Sequence, residues 1–119
     1  MSYRIDTNCI HAGYTPGNGD PRVVPIVQST TFKYDSAQKM GDLFDLKAAM
    51  GDLFDLKAEG FFYTRLGNPT LDAVEKKIAA LEGGVGALLT SSGQAASLIA
   101  VLNICHAGDH VVASNAIYG

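Results

Sequence analysis

The chain has 119 residues, of which 47% are hydrophobic and 18% charged, a composition that can build a core and that argues against long disordered stretches. Its nine Lys and Arg residues are scattered among twelve Asp and Glu residues, so no nucleic-acid partner is expected. The most apolar region, 85–105, is interrupted by a polar loop at 90–94, which argues against a membrane span.

We interpret residues 1–62 as an N-terminal arm. No apolar stretch of the signal-peptide type occurs at its start, and the chain has two distant cysteines, Cys9 and Cys105. These features favour a cytoplasmic protein with free thiols. The spacing of Cys9, His11, Cys105 and His106 fits no standard zinc site, so no metal is expected.

The arm contains a tandem repeat, because the nine residues 40–48 recur unchanged at 50–58. Each copy has apolar residues at helical spacing. A shift of ten residues leaves a helix about 80° short of whole turns. One continuous helix would therefore point the two apolar stripes in different directions. We expect only one copy to occupy the site shaped for it, and we interpret the repeat as a duplication without a function of its own.

Residues 63–119 are predicted to begin an α/β domain. Its first helix starts after Asn68, which can cap it, and Pro69 suits the first helical position. Gly83 and Gly84 predict the helix end. An apolar stripe at helical spacing is expected to face the core, with the charged residues in water. The stripe is Leu71, Val74, Ile78 and Leu81, and the charged residues are Asp72, Glu75, Lys76 and Lys77.

A strand, a helix and a second strand follow. Residues 85–89 and 110–113 are short apolar runs typical of buried strands, and the helix from Gln94 to about Ile104 is apolar nearly all round, which predicts burial. Such a βαβ unit implies a parallel sheet.

The turn at 91–96 is a candidate anion site. Ser92, Gly93 and Gln94 lie where the predicted helix begins, and free backbone N–H groups at a helix start attract phosphate. Glycine also permits close approach of a ligand. The turn has neither the GxGxxG pattern nor a Walker A lysine, so a plain small-residue turn remains an alternative.

Three aromatic or cationic side chains extend this candidate site. Tyr63 and Arg65 stand two apart in a segment predicted to be extended, so both would project to one side and could bind a phosphate; a surface salt bridge is the alternative for Arg65. Tyr118 follows the second predicted strand and could stack on a flat ring, unless it is an ordinary loop tyrosine.

Three stretches together resemble the pyridoxal-phosphate (PLP) enzymes of cysteine and methionine metabolism. They are VPIVQSTTF at 24–32, FYTRLGNPT at 62–70, and LEGG at 81–84 with SGQAA at 92–96. The resemblance runs from about Thr7 to Gly119, interrupted by the repeat. It implies the N-terminal arm and first βαβ part of the large domain of a fold type I PLP-dependent transferase, truncated.

The resemblance also implies roles for the candidate residues. Ser92, Gly93 and Gln94 would bind the PLP phosphate, and Tyr118 would stack on the pyridine ring. Tyr63 and Arg65 would reach the phosphate of a neighbouring subunit, because the family shares active sites across a dimer and forms homo-oligomers. Tyr63 and Tyr118 are the catalytic candidates.

Within the family, the turn at 92–96 looks most like that of the O-acetylhomoserine sulfhydrylases, which replace the acetate of O-acetyl-L-homoserine with sulfide. Methionine γ-lyase, and cystathionine γ-synthase or lyase, are the alternatives. None of the chain's six lysines matches the family's Schiff-base lysine. They are Lys33, Lys39, Lys47, Lys57, Lys76 and Lys77. The chain alone is therefore expected to be inactive, and a non-catalytic module that binds phosphate or protein is the alternative of another class.

Overall fold

The computed structural model of the chain describes residues 3–38, 60, 61 and 63–118. The repeat at 40–48 and 50–58 lies outside these residues, so the expectation that one copy alone fits its site stays a prediction. The chain divides into two compact units, Met1–Ala87 and Leu88–Gly119.

In the first unit, helix α1 (Ile5–His11) packs on helix α2 (Pro69–Glu82). The contact depends on Gly13, which has φ +86° and lies so near α2 that an added Cβ would be 2.1 Å from the carbonyl oxygen of Ala73. Ala73 itself is only 4% exposed. Lys77 adds a hydrogen bond from its Nζ to the carbonyl oxygen of Ile10, at 3.3 Å. Small residues thus let the two backbones approach closely.

Both predicted ends of α2 are confirmed. Asn68 caps the helix, since its side-chain oxygen accepts a hydrogen bond from the N–H of Thr70 at 2.9 Å, and Pro69 occupies the first turn. At the other end Gly83 takes the left-handed conformation with φ +67°, and the N–H groups of Gly83 and Gly84 donate to the carbonyl oxygen of Ala79.

The predicted inward face of α2 is wrong in part. Three residues of the apolar stripe are exposed: Leu71, Val74 and Ile78. Ala73 and Lys77 face α1 instead, and Lys77 is half-buried rather than in water. The physical reason is the close backbone approach at Gly13, which a small side chain on α2 permits and a branched one would prevent.

In the second unit, helix α3 (Gly93–Ile104) confirms the predicted helix but not its burial. None of its residues is buried; Leu102 is 65% exposed and Ile104 74%. A helix that is apolar on all sides needs neighbours on all sides. The described part of this unit supplies no second helix or sheet to cover it.

The predicted strands are not confirmed. Residues 85–89 and 110–113 lie in no hydrogen-bonded ladder, and the described residues contain no strand. The one β-type pairing among the described residues is an isolated antiparallel bridge between Thr31 and Tyr63. An apolar run becomes a strand only when another strand supplies hydrogen bonds along its edge. The sequence of the run itself does not determine whether such a partner strand is present. The parallel sheet therefore stays a prediction.

Candidate functional site

The turn before α3 presents two backbone donors. Ser92 caps the helix: its Oγ accepts a hydrogen bond from the N–H of Ala95 and its carbonyl oxygen one from the N–H of Ala96, both at 3.1 Å. By helix geometry, the N–H groups of Gly93 and Gln94 are then the first-turn donors without an acceptor inside the helix. An exposed pair of this kind is suited to binding an anion.

Gly93 is not required by the local conformation. The backbone of Gly93 does not have the positive φ that favours glycine, and a Cβ added to Gly93 would meet no described atom within 4 Å. Ser92, Gly93 and Gln94 are all exposed. The turn is thus open on the side from which a ligand would approach, and a glycine there leaves that approach unobstructed.

Gln94 links this turn to Tyr118. Its Nε2 donates a hydrogen bond to the carbonyl oxygen of Tyr118 at 3.4 Å, across 24 positions of sequence. The side chain of Tyr118 is 94% exposed. The four predicted residues of the second unit, Ser92, Gly93, Gln94 and Tyr118, are therefore joined by one turn and one hydrogen bond.

Tyr63 and Arg65 meet in the first unit, although not in the predicted extended segment. The N–H groups of Leu66 and Gly67 donate to the carbonyl oxygen of Tyr63, so residues 63–67 form a turn. The guanidinium carbon of Arg65 nevertheless lies over the Tyr63 ring, 5.2 Å from its centroid. This cation–π contact places both side chains on one side of the turn.

Sequence reasoning missed the hydrogen bonds that hold this turn. Thr64 lies between the two, and its N–H donates to the carbonyl oxygen of Thr30 at 2.9 Å. Asn68 donates from Nδ2 to Thr64 Oγ1 at 3.2 Å and to the carbonyl oxygen of Val27 at 2.9 Å. The stretches 24–32 and 62–70, which carry the resemblance separately, are therefore bonded to each other.

Three further observations concern the residues that the structure describes. No group of three or more His, Cys, Asp and Glu side chains is arranged to hold a metal ion among them. Cys9 and Cys105 are free thiols. None of the described helices is long and apolar enough to cross a bilayer.

Comparison with known proteins matches residues 6–119 to the family described as "Cys/Met metabolism PLP-dependent enzyme". The homocysteine/cysteine synthase of Kluyveromyces lactis is 42% identical over 121 residues, which cover 100% of this chain and 25% of the relative. The O-acetyl-L-homoserine sulfhydrylase of Corynebacterium glutamicum is 46% identical over 116 residues, which cover 97% of this chain and 24% of the relative.

An L-methionine gamma-lyase of Fusobacterium nucleatum subsp. polymorphum is 42% identical over 117 residues, which cover 98% of this chain and 27% of the relative. The similarity to sulfhydrylases and to lyases is thus of the same order. The chain spans about a quarter of the length of the curated relatives it matches.

Proposed function

Because the chain belongs to the family of PLP-dependent enzymes of cysteine and methionine metabolism, we propose that it is the N-terminal part of an O-acetyl-L-homoserine sulfhydrylase. The whole enzyme would exchange the acetate of O-acetyl-L-homoserine for sulfide and release homocysteine and acetate. Two relatives, a homocysteine/cysteine synthase and an O-acetyl-L-homoserine sulfhydrylase, support this choice. Methionine γ-lyase is the second candidate, supported by a relative of 42% identity.

One observation carries the proposal: the exposed N–H groups of Gly93 and Gln94 behind the Ser92 cap. Two neighbouring backbone donors in the first turn of a helix fit the phosphate ester of PLP, the cofactor of this family. When bound, PLP supplies an electron sink for carbanions of the amino-acid substrate. Ser92 would fix the first turn through its cap and so keep both N–H groups available to the phosphate.

Two further side chains would orient the coenzyme. Tyr118 would cover the flat face of the pyridine ring, and the bond from Gln94 would hold the backbone of Tyr118 beside the turn. A stacked ring also excludes water from one face. These roles place Tyr118 next to the reacting atoms, which makes it a catalytic candidate.

Tyr63 and Arg65 would bind the phosphate from a neighbouring subunit, so the enzyme would be a homo-oligomer with shared active sites. The cation–π contact between them supports a joint role, because it presents a phenol and a guanidinium together. A guanidinium offers a planar fork of donors that suits phosphate. Tyr63 adds a hydroxyl and is the second catalytic candidate.

The fold proposal follows from the family. Residues 1–62 would form the arm, with the repeat inside it, and residues 63–119 would begin a fold type I large domain. In that domain 85–89 and 110–113 would join a parallel sheet with further strands. The exposed apolar side chains of α3 support this, because a helix of that composition normally lies inside a protein.

The chain alone would lack activity, because none of its lysines matches the family's Schiff-base lysine. The free thiols of Cys9 and Cys105 fit a reducing cytoplasm.

The test uses the protein expressed from the complete reading frame and purified with PLP. It is supplied with O-acetyl-L-homoserine and sulfide in one assay and with L-methionine in another. We expect PLP-dependent formation of homocysteine that exceeds the breakdown of methionine. Faster breakdown of methionine would assign the protein to the lyases, and no PLP-dependent reaction with either substrate would overturn the proposal.

A further inference from the structure

The segment 25–31 lies along the start of α2 and is held there by hydrogen bonds to two side chains. Thr70 Oγ1 donates a hydrogen bond to the carbonyl oxygen of Pro25 at 2.8 Å and accepts one from the N–H of Val27 at 2.9 Å. Asn68 Nδ2 donates to the carbonyl oxygen of Val27. Thr70 and the N-cap residue Asn68 thus supply the hydrogen-bond partners that a neighbouring strand would otherwise give to this segment.

The C-terminal end of the same segment, at Ser29 and Thr30, is hydrogen-bonded to Thr64. Thr64 donates from its N–H to the carbonyl oxygen of Thr30 and from Oγ1 to that of Ser29. Asn68 Nδ2 reaches Thr64 Oγ1 directly, at 3.2 Å. Since Thr64 lies between Tyr63 and Arg65, these bonds fix the backbone from which both side chains project.

Asn68 does more than cap a helix. A cap needs an acceptor alone, and Asn68 provides one through Oδ1, but its Nδ2 makes two further bonds. Asn68 is only 4% exposed, although it is polar. Aspartate or serine would cap equally well but would not supply the amide donor. The need for a buried donor therefore points to the link with Val27 and Thr64.

We propose that Asn68 and Thr70 are positioning residues, which tie the segment 25–31 to α2 and thereby hold Tyr63 and Arg65 in the orientation that binds phosphate. This inference rests on the proposed function, because it assigns the phosphate to Arg65. Neither Asn68 nor Thr70 need touch the coenzyme.

A double-mutant cycle on the PLP-loaded protein from the complete reading frame tests the link. Asn68→Asp keeps the cap acceptor and removes the donor. We expect it to raise the Kd for PLP about tenfold when Arg65 is present and less than about twofold in the Arg65→Ala background. Equal effects in both backgrounds would overturn the inference. No effect of Arg65→Ala by itself would instead overturn the role of Arg65 in the proposed function.

Thr70→Val and Thr70→Ser form a second pair if Asn68→Asp folds poorly. Valine loses the bridging hydroxyl and should reproduce the Arg65-dependent effect, whereas serine should rescue it. Gly83→Ala is the stability control: it strains the left-handed C-cap of α2, where nothing lies within 4 Å, and it leaves Asn68 untouched. Its effect on the Kd should be the same in both backgrounds.

A measurement on the protein without PLP tests the positioning role of Asn68 independently of the proposed role of Arg65 in phosphate binding. In the free protein, the Tyr63 ring should shift the NMR resonances of the Arg65 side chain, because the guanidinium lies over it. Asn68→Asp should reduce this ring-current shift, and Gly83→Ala should not. An unchanged shift in Asn68→Asp would show that Asn68 does not position the pair, whatever PLP binding shows.

Discussion

The side-chain amide of Gln94 donates a hydrogen bond to the carbonyl oxygen of Tyr118, 3.4 Å away and 24 positions later in the sequence. The backbone of Gln94 belongs to the exposed first turn of α3. A single residue thus connects the proposed phosphate donors to the backbone that carries the proposed stacking ring. The two ends of a PLP molecule, its phosphate and its ring, would be aligned by this connection.

The ring of Tyr118 is expected to contribute to PLP affinity by stacking. Tyr118→Ala should raise the Kd for PLP by at least about 2- to 13-fold, the stacking contribution alone, whereas Tyr118→Phe, which keeps the ring, should change it little. Equilibrium dialysis of the protein from the complete reading frame measures both. Equal losses in the two variants would point to the hydroxyl and would remove stacking from the account.

The N–H of Gly93 is expected to bind the phosphate. Gly93→Pro removes this donor but keeps α3, because proline is favoured at the first helical position and Ser92 already has the extended ψ of 157° that proline tolerates before it. The Kd for PLP should rise about 13- to 160-fold, which corresponds to the loss of one hydrogen bond to a charged group.

Gly93→Ala is the matched control for the proline variant, since alanine keeps the N–H and its Cβ meets no described atom within 4 Å. Circular dichroism should show the same helix content in both variants. If alanine weakened PLP binding as much as proline, the space above Gly93 would matter rather than its N–H group.

The approach of α1 to α2 at Gly13 is expected to dominate the stability of the first unit. Gly13→Ala places a Cβ 2.1 Å from the carbonyl oxygen of Ala73 and should lower the free energy of unfolding by more than about 2 kcal/mol. Gly19 has a similar φ of +90° but nothing within 4 Å, so Gly19→Ala should cost only about 1 kcal/mol. Urea denaturation followed by circular dichroism compares them, and equal losses would contradict the close approach.

The exposed apolar side chains of α3 are expected to make the 119-residue chain associate. Leu102 and Ile104 are exposed with Leu98 on the same helix, and burying apolar surface is worth about 25 cal/mol per Å². Analytical ultracentrifugation should detect oligomers that Leu102→Gln weakens. The same substitution at an exposed polar position, Ser97→Gln, is the control. A monodisperse monomer at all concentrations would contradict this expectation.

Helix ends could be predicted from the sequence because their signals are local. Asn68, Pro69 and Gly83 define α2 through contacts within a few residues of each helix end. The faces could not be predicted in the same way. Whether Ala73 or Val74 points inward depends on where α1 lies, and α1 is more than fifty positions away.

In the candidate site, too, the local features could be predicted from the sequence and the long-range contacts could not. Ser92, Gly93 and Gln94 form one turn, so small residues before an apolar helix sufficed to single them out. The bonds of Asn68 and Thr70 to Val27 and Pro25 span 41 to 45 positions. Such links leave no periodicity in the sequence, where the local pattern predicts Asn68 only as a helix cap and gives Thr70 no role of its own.

The most direct test of the central claim is a crystal structure of the PLP complex of the protein from the complete reading frame. The account predicts phosphate oxygens within hydrogen-bonding distance, about 3.2 Å or less, of the backbone nitrogens of both Gly93 and Gln94. A phosphate bound elsewhere, with those two N–H groups directed at protein or solvent, would contradict it.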